Sequence, residues 1–189
     1  MSKLIGFYSP SAGSGKSTLA HAITGHGYVV ERFAAPMKEM LRTLLLHAGA
    51  APEEAAAMID GDLKEAPSAF LAGHSPRHAL RTLGTEWGRG HMSETLWVNA
   101  ALTRAGVLLA QGRKVVFDDM RFPNEAEAIR QRGGLLIKIV RPSLAPQRGQ
   151  HASEGSLDDW HFDAVIENTS ASAIAWTMDG SAAVARAGG

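Results

Sequence analysis

The stretch from Leu4 to Thr18, reading LIGFYSPSAGSGKST, constrains the fold more than any other part of the chain. An apolar run suited to a buried strand gives way to a glycine-rich turn, and the turn to a helix-forming segment. That order is the context a phosphate-binding P-loop requires. Backbone N–H groups across Ser11, Ala12, Gly13, Ser14, Gly15, Lys16, Ser17 and Thr18 can wrap polyphosphate oxygens. Lys16 can reach the outer phosphates, the Ser17 hydroxyl can ligate Mg²⁺, and the following helix presents its positive N-terminal end. The loop departs from the usual pattern once: the glycine expected six residues before the lysine is Pro10, which fixes φ and removes an N–H.

A strand feeding a P-loop predicts an α/β fold, and the remaining pattern agrees. Short apolar runs occur at Leu4–Tyr8, Tyr28–Phe33, Lys114–Phe117, Leu135–Val140 and Ala164–Ile166, with helix-like segments between most of them. This predicts a three-layer fold, an approximately five-stranded parallel sheet with helices on both faces. Helices are expected at Ser17–His26, Pro36–His47, from Pro52, from Pro76 with Ser75 as cap, from Ser93 to Gln111, at Asn124–Arg132 and at Ser170–Ala185. Gly84 and Gly88 interrupt the segment after Pro76, which predicts a bend or a close approach there. The interval between the second and third strands far exceeds a simple crossover. The expectation is one domain over 1–189, with a helical insertion at about 34–110 capping the strands' carboxyl ends and a lid loop at about 142–160.

Composition narrows the partners. Nineteen basic residues balance nineteen acidic ones, so no overall field draws the chain to nucleic acid or an anionic membrane. No apolar run approaches the roughly 18 residues that span a bilayer. There is no cysteine for a disulfide or a thiolate metal site, and the eight histidines lack ligand spacing. The expectation is a soluble cytoplasmic protein acting on small molecules.

Lys114-Val115-Val116-Phe117-Asp118-Asp119 has the form of an acidic strand end that positions Mg²⁺. Strand alternation puts the two carboxylates on opposite sides. Phosphoryl transfer also needs arginines around the migrating group. Arg121 follows the acidic pair at the strand's end, while Arg141 and Arg148, with His151 and Glu154, border or lie in the polar loop. Lys38 and Arg42 share a helix, and Arg77, Arg81 and Arg89 surround Leu83-Gly84-Thr85-Glu86-Trp87-Gly88.

Phe33-Ala34-Ala35-Pro36-Met37-Lys38, Leu83-Gly84-Thr85-Glu86-Trp87-Gly88-Arg89, Leu96-Trp97-Val98 and Asp119-Met120-Arg121-Phe122-Pro123-Asn124-Glu125-Ala126, in that order, resemble the deoxynucleoside monophosphate kinases encoded by bacteriophages. Echoes at His151-Ala152-Ser153-Glu154 and Asp163–Asn168 extend the likeness to about residue 170. The resemblance implies a nucleoside monophosphate kinase fold and transfer of the ATP γ-phosphate to a deoxynucleoside monophosphate (dNMP) with Mg²⁺. Lys16, Asp119 and Arg121 would then be catalytic, Ser17 and Asp119 would hold the metal, and Arg148 would join the P-loop around ATP. The acceptor side would draw on Lys38, Arg42, Arg77, Thr85, Glu86, Trp87, Arg89 and Arg121. Arg81 stands where the family pattern suggests glutamine. A homodimer is compatible with this reading, and the location would be the host cytoplasm if the chain is phage-encoded. The alternatives are a P-loop kinase of another small metabolite and a nucleotide-binding module without catalysis.

Overall fold

The computed structural model describes residues 2–144, 155–170 and 172–188. In chain order its regular elements are β1 (Leu4–Tyr8), α1 (Lys16–Ala22) continued by a 3₁₀ turn at Ile23–His26, β2 (Tyr28–Glu31), α2 (Ala35–His47) and α3 (Pro52–Asp60). After two short 3₁₀ turns come α4 (Pro76–Arg81), a π-helix at Thr82–Met92, α5 (Leu96–Ala110), β3 (Lys114–Phe117), α6 (Pro123–Arg130), β4 (Leu135–Val140), β5 (Ala164–Glu167) and α7 (Ala173–Ala187). The chain divides into two compact units, 1–33 with 102–189, and 34–101.

The first unit holds one parallel sheet in the order β2-β3-β1-β4-β5. β1 is central and every one of its residues is buried, as a strand covered on both faces must be. Its alternating side chains serve two layers. Ile5 and Phe7 pack with Leu19, Ala20 and Ile23 of the α1 segment and Trp176 and Val184 of α7. Gly6 faces the other layer, where a Cβ would come within 2.7 Å of Ile129 on α6 and 3.0 Å of Met120. The absent side chain is what lets α6 settle against the central strand.

Between β4 and β5, the described part of the chain is tied back to the sheet by polar contacts. Tyr8 donates its hydroxyl to Asp158 Oδ1 at 2.6 Å and stacks on Phe162, and the Lys138 ammonium donates to the Asp158 carbonyl at 2.8 Å. Arg130, in the last turn of α6, donates to the His161 carbonyl at 2.7 Å. The carbonyl lies within the guanidinium's reach, and a neutral acceptor there satisfies a donor that solvent would otherwise hold.

The second unit packs α2 and α3 around Leu41, Leu45, Ala55, Met58 and Ile59, with Phe70, Leu71, Ala79 and Leu80 alongside. Met40 and Leu44, available for the core by residue type, are instead 43% and 53% exposed. Leu41 and Leu45, four residues apart, form the buried stripe, and their neighbours rotate out of it. Ser75 caps α4 by accepting the His78 N–H at 3.2 Å, with Pro76 at the first helical position, as the sequence predicts.

Gly84 and Gly88 do not break the helix that follows. They lie in the π-helix Thr82–Met92, whose last turn is closed by the Ser93 N–H donating to the Gly88 carbonyl at 2.9 Å. The cause is Trp97: its indole N–H donates to the Gly84 carbonyl at 2.8 Å, and a Cβ on Gly88 would lie 2.3 Å from the ring. The two glycines open a slot for an indole, so the close approach is present and the chain stays helical. Such widened turns are rare and recur at functional sites.

Candidate active site

The P-loop begins where β1 ends. Ser9 staples the turn around Pro10, its hydroxyl accepting the Ser11 N–H at 3.3 Å. Pro10 therefore stands outside the tight part of the loop, where Gly13 and Gly15 take φ of 73° and 95°. Only glycine adopts such angles at no steric cost. The loop lines a cavity of about 310 Å³ with Gly13–Thr18, Arg141, Asn168, Ser170, Ser172 and Trp176. Ser14 is 1% exposed, and its hydroxyl has no hydrogen-bond partner among the described residues. A buried hydroxyl left in this state fits a loop shaped to receive a polar ligand.

The charges around Lys16 point the same way. Its pKa falls from 10.5 to about 8: burial is the largest cause and the Arg121 guanidinium adds to it, while Asp118 and Asp119 act the other way. Lys16, Asp118, Asp119 and Arg121 thus share one electrostatic neighbourhood at the carboxyl ends of β1 and β3. Two cations held close enough to repel are the arrangement that a polyanion relieves.

The acidic pair is divided between two tasks. Asp118 is buried and takes a two-pronged bond from Arg32, Nε to Oδ1 at 2.9 Å and Nη2 to Oδ2 at 3.1 Å. Asp119 accepts the Phe33 N–H through Oδ1 at 2.9 Å. Both carboxylates therefore also tie the end of β2 to the end of β3. With Asp118 bound to a guanidinium, Asp119 and the exposed Ser17 hydroxyl are the oxygens that suit a cation. Two protein oxygens suffice for Mg²⁺, which takes its other ligands from phosphates and water. Among the described residues no cluster of three or more His, Cys, Asp or Glu could hold a metal by itself.

Arg121 itself is exposed but its backbone is held from both sides. Buried Glu125 accepts the Arg121 N–H at 2.7 Å and the Phe122 N–H at 3.1 Å, and the Ser156 hydroxyl donates to the Arg121 carbonyl at 2.5 Å. Glu125 stands three residues after Phe122 with Pro123 opening α6, a spacing legible as a helix start.

Of the residues expected on the acceptor side, all but Arg121 lie in the second unit. Lys38 is paired with Asp60, Arg42 with Glu39 at 3.4 Å, and Arg77 with Glu65. Thr85, Glu86, Trp87 and Arg89 ride on the π-helix; Trp87 is 38% exposed and Arg89 donates to the Glu94 carbonyl at 3.2 Å. Arg148, His151 and Glu154, and with them most of the expected lid loop, fall outside the described residues. Sequence reasoning missed Arg32 and Trp176. Trp176 sits at an apolar helical position that nothing in the local pattern distinguishes from ordinary core.

Comparison with known proteins agrees with this geometry. No family model matches the chain. It is 31% identical over 174 residues to a protein of Acanthamoeba polyphaga mimivirus named "Putative deoxynucleotide monophosphate kinase", covering 82% of this chain and 83% of that one. Among solved structures it resembles a dephospho-CoA kinase from Campylobacter jejuni, with a TM-score of 0.53 at 13% identity, covering 98% of this chain and 97% of the other. It also resembles TT1252 from Thermus thermophilus, with a TM-score of 0.51 at 19% identity, over 97% and 96% of the two chains. The five-stranded parallel sheet with its P-loop is thus a P-loop kinase fold, as the sequence predicts. The viral relative extends that likeness across most of the sequence, and the chain belongs to the deoxynucleotide monophosphate kinase family of P-loop kinases.

Proposed function

We propose that the protein transfers the γ-phosphoryl group of ATP to a deoxynucleoside 5′-monophosphate, giving ADP and the diphosphate needed for DNA precursor synthesis. The charge arrangement around Lys16 supports the phosphoryl-transfer part of this reading, with Lys16 and Arg121 close enough to repel each other beside a glycine-rich turn and Asp118 and Asp119 in the same neighbourhood. The acceptor class is supported by the likeness to the viral relative. In the reaction an acceptor phosphate oxygen forms a bond to Pγ as the bond from Pγ to the β,γ-bridging oxygen breaks. Charge spreads over the equatorial oxygens of the group in flight, and the protein works by positioning and neutralisation.

Lys16 and the N–H groups of the loop bind the donor phosphates, and Arg121 neutralises charge on the migrating group. Ser17 and Asp119 would hold Mg²⁺, which neutralises and orients the phosphates when bound. Lys38, Arg42, Arg77, Thr85, Glu86, Trp87 and Arg89 would serve the acceptor, on the strength of the Leu83–Arg89 block. Lys38, Arg42 and Arg77 already have acidic partners, so each would exchange a carboxylate for a phosphate on binding.

The test is a coupled ADP-release assay with Mg-ATP and each of the four common dNMPs. Phosphorylation of at least one above the ATPase background is expected. A folded protein that binds ATP and phosphorylates none of them overturns the reading.

A further inference from the structure

Three successive carbonyl oxygens of the P-loop are each gripped by a side chain from a different part of the first unit. The Gly13 carbonyl accepts Arg141 Nη1 at 3.3 Å, the Ser14 carbonyl accepts Asn168 Nδ2 at 2.9 Å, and the Gly15 carbonyl accepts Trp176 Nε1 at 3.0 Å. Arg141 follows β4, Asn168 follows β5 and Trp176 lies on α7. Asn168 and Trp176 are 5% and 2% exposed. The fit is tight, because a Cβ on Gly15 would lie 2.6 Å from the Trp176 nitrogen and 2.8 Å from Asn168 Nδ2. Asn168 is itself held, its Oδ1 accepting the Ser170 N–H at 3.3 Å.

In a trans peptide the C=O and the next N–H point in opposite directions. Holding the oxygens of residues 13, 14 and 15 on these side chains therefore turns the N–H groups of Ser14, Gly15 and Lys16 away from them. We propose that Asn168 and Trp176, assisted by Arg141, are positioning residues that preset these three N–H groups as an anion nest before any phosphate arrives. The proposal rests on the reading of the loop as a polyphosphate site. Its physical content is preorganisation: an unclamped glycine-rich loop must be ordered during binding, and that ordering lowers affinity. The Ser14 carbonyl should depend most on its clamp. The Gly15 oxygen also accepts the Leu19 N–H of α1 at 2.9 Å and retains that bond if the indole is lost.

The experiment uses the whole chain and inorganic tripolyphosphate as probe, in wild type, Trp176→Phe, Asn168→Leu and Lys16→Ala, each first shown to be folded by its urea transition. Calorimetry should show tripolyphosphate affinity falling about tenfold in Asn168→Leu and about threefold in Trp176→Phe, the scale of one net hydrogen bond. In turnover, KM for ATP should rise while KM for the acceptor stays, a split that general loosening of the fold would not produce. Wild-type binding that is lost in Lys16→Ala but unchanged in both folded clamp variants overturns the clamp and leaves the phosphate site standing. Wild type that binds no tripolyphosphate overturns the phosphate reading of the loop, and the clamp with it.

Discussion

Lys16 shows how a single residue is fitted to a ligand at the expense of the empty protein. Its pKa falls from 10.5 in the unfolded chain to about 8 in the fold. Between those values the unfolded chain binds more protons, so the stability of the ligand-free protein should rise as the pH climbs from 8 to about 10. The penalty for the buried charge is fully present below pH 8. Lys16→Met should therefore unfold at higher urea than wild type at pH 7, should lack the rise above pH 8, and should lose turnover by several orders of magnitude. Urea titrations at pH 7 and 9.5 check the first two, and a lower midpoint for Lys16→Met at pH 7 would contradict the account. At the neighbouring pair the sign reverses. Arg32→Ala strands the buried Asp118 carboxylate and should cost about 2 kcal/mol, the partial exposure of Arg32 keeping this below a fully buried pair. Asp118→Asn should cost less, because an amide needs no counter-charge.

At the scale of elements, the π-helix and α5 make opposite uses of glycine. Gly88 leaves the slot that Trp97 fills, whereas Gly106 of α5 is exposed, and a Cβ added there would meet nothing within 4 Å. Gly88→Ala should destabilise by roughly 3 kcal/mol, because the added methyl must displace an indole ring. Gly106→Ala should stabilise by about 0.5–1 kcal/mol, through the smaller entropy lost by alanine in a helix. Thermal unfolding of the two variants reads both, and equal shifts of one sign would refute the distinction. Both glycines stand in sequence segments that read as helical. The widened turn could not be read there, because what creates it is Trp97, outside the segment and against the Gly84 carbonyl.

For the molecule as a whole, ligand binding should act on global stability by mass action. ATP at about one hundred times its Kd should add about 2.7 kcal/mol to the unfolding free energy. Scanning calorimetry should show the rise in Tm in wild type and none in Lys16→Ala; equal rises in both would place ATP away from the loop. Much of the architecture was legible beforehand for a local reason. Buried parallel strands need continuous apolar runs and P-loops need glycine at left-handed positions, so β1, β3, β4, Gly13 and Gly15 announce themselves within a few residues. Lys16 and Ser17 could be put forward as candidates for the same reason, since their motif is short, whereas the choice of Asp119 over Asp118 and the role expected of Arg121 came from the family resemblance. Local pattern could not assign Asp118 to Arg32, carry the Asn168 amide and Trp176 indole to the P-loop carbonyls, or hold the Arg121 backbone between Glu125 and Ser156. Those contacts join residues up to 161 positions apart. Such pairings are written in the crossing of strands and the packing of helices, where a residue's neighbours in space are not its neighbours in the chain.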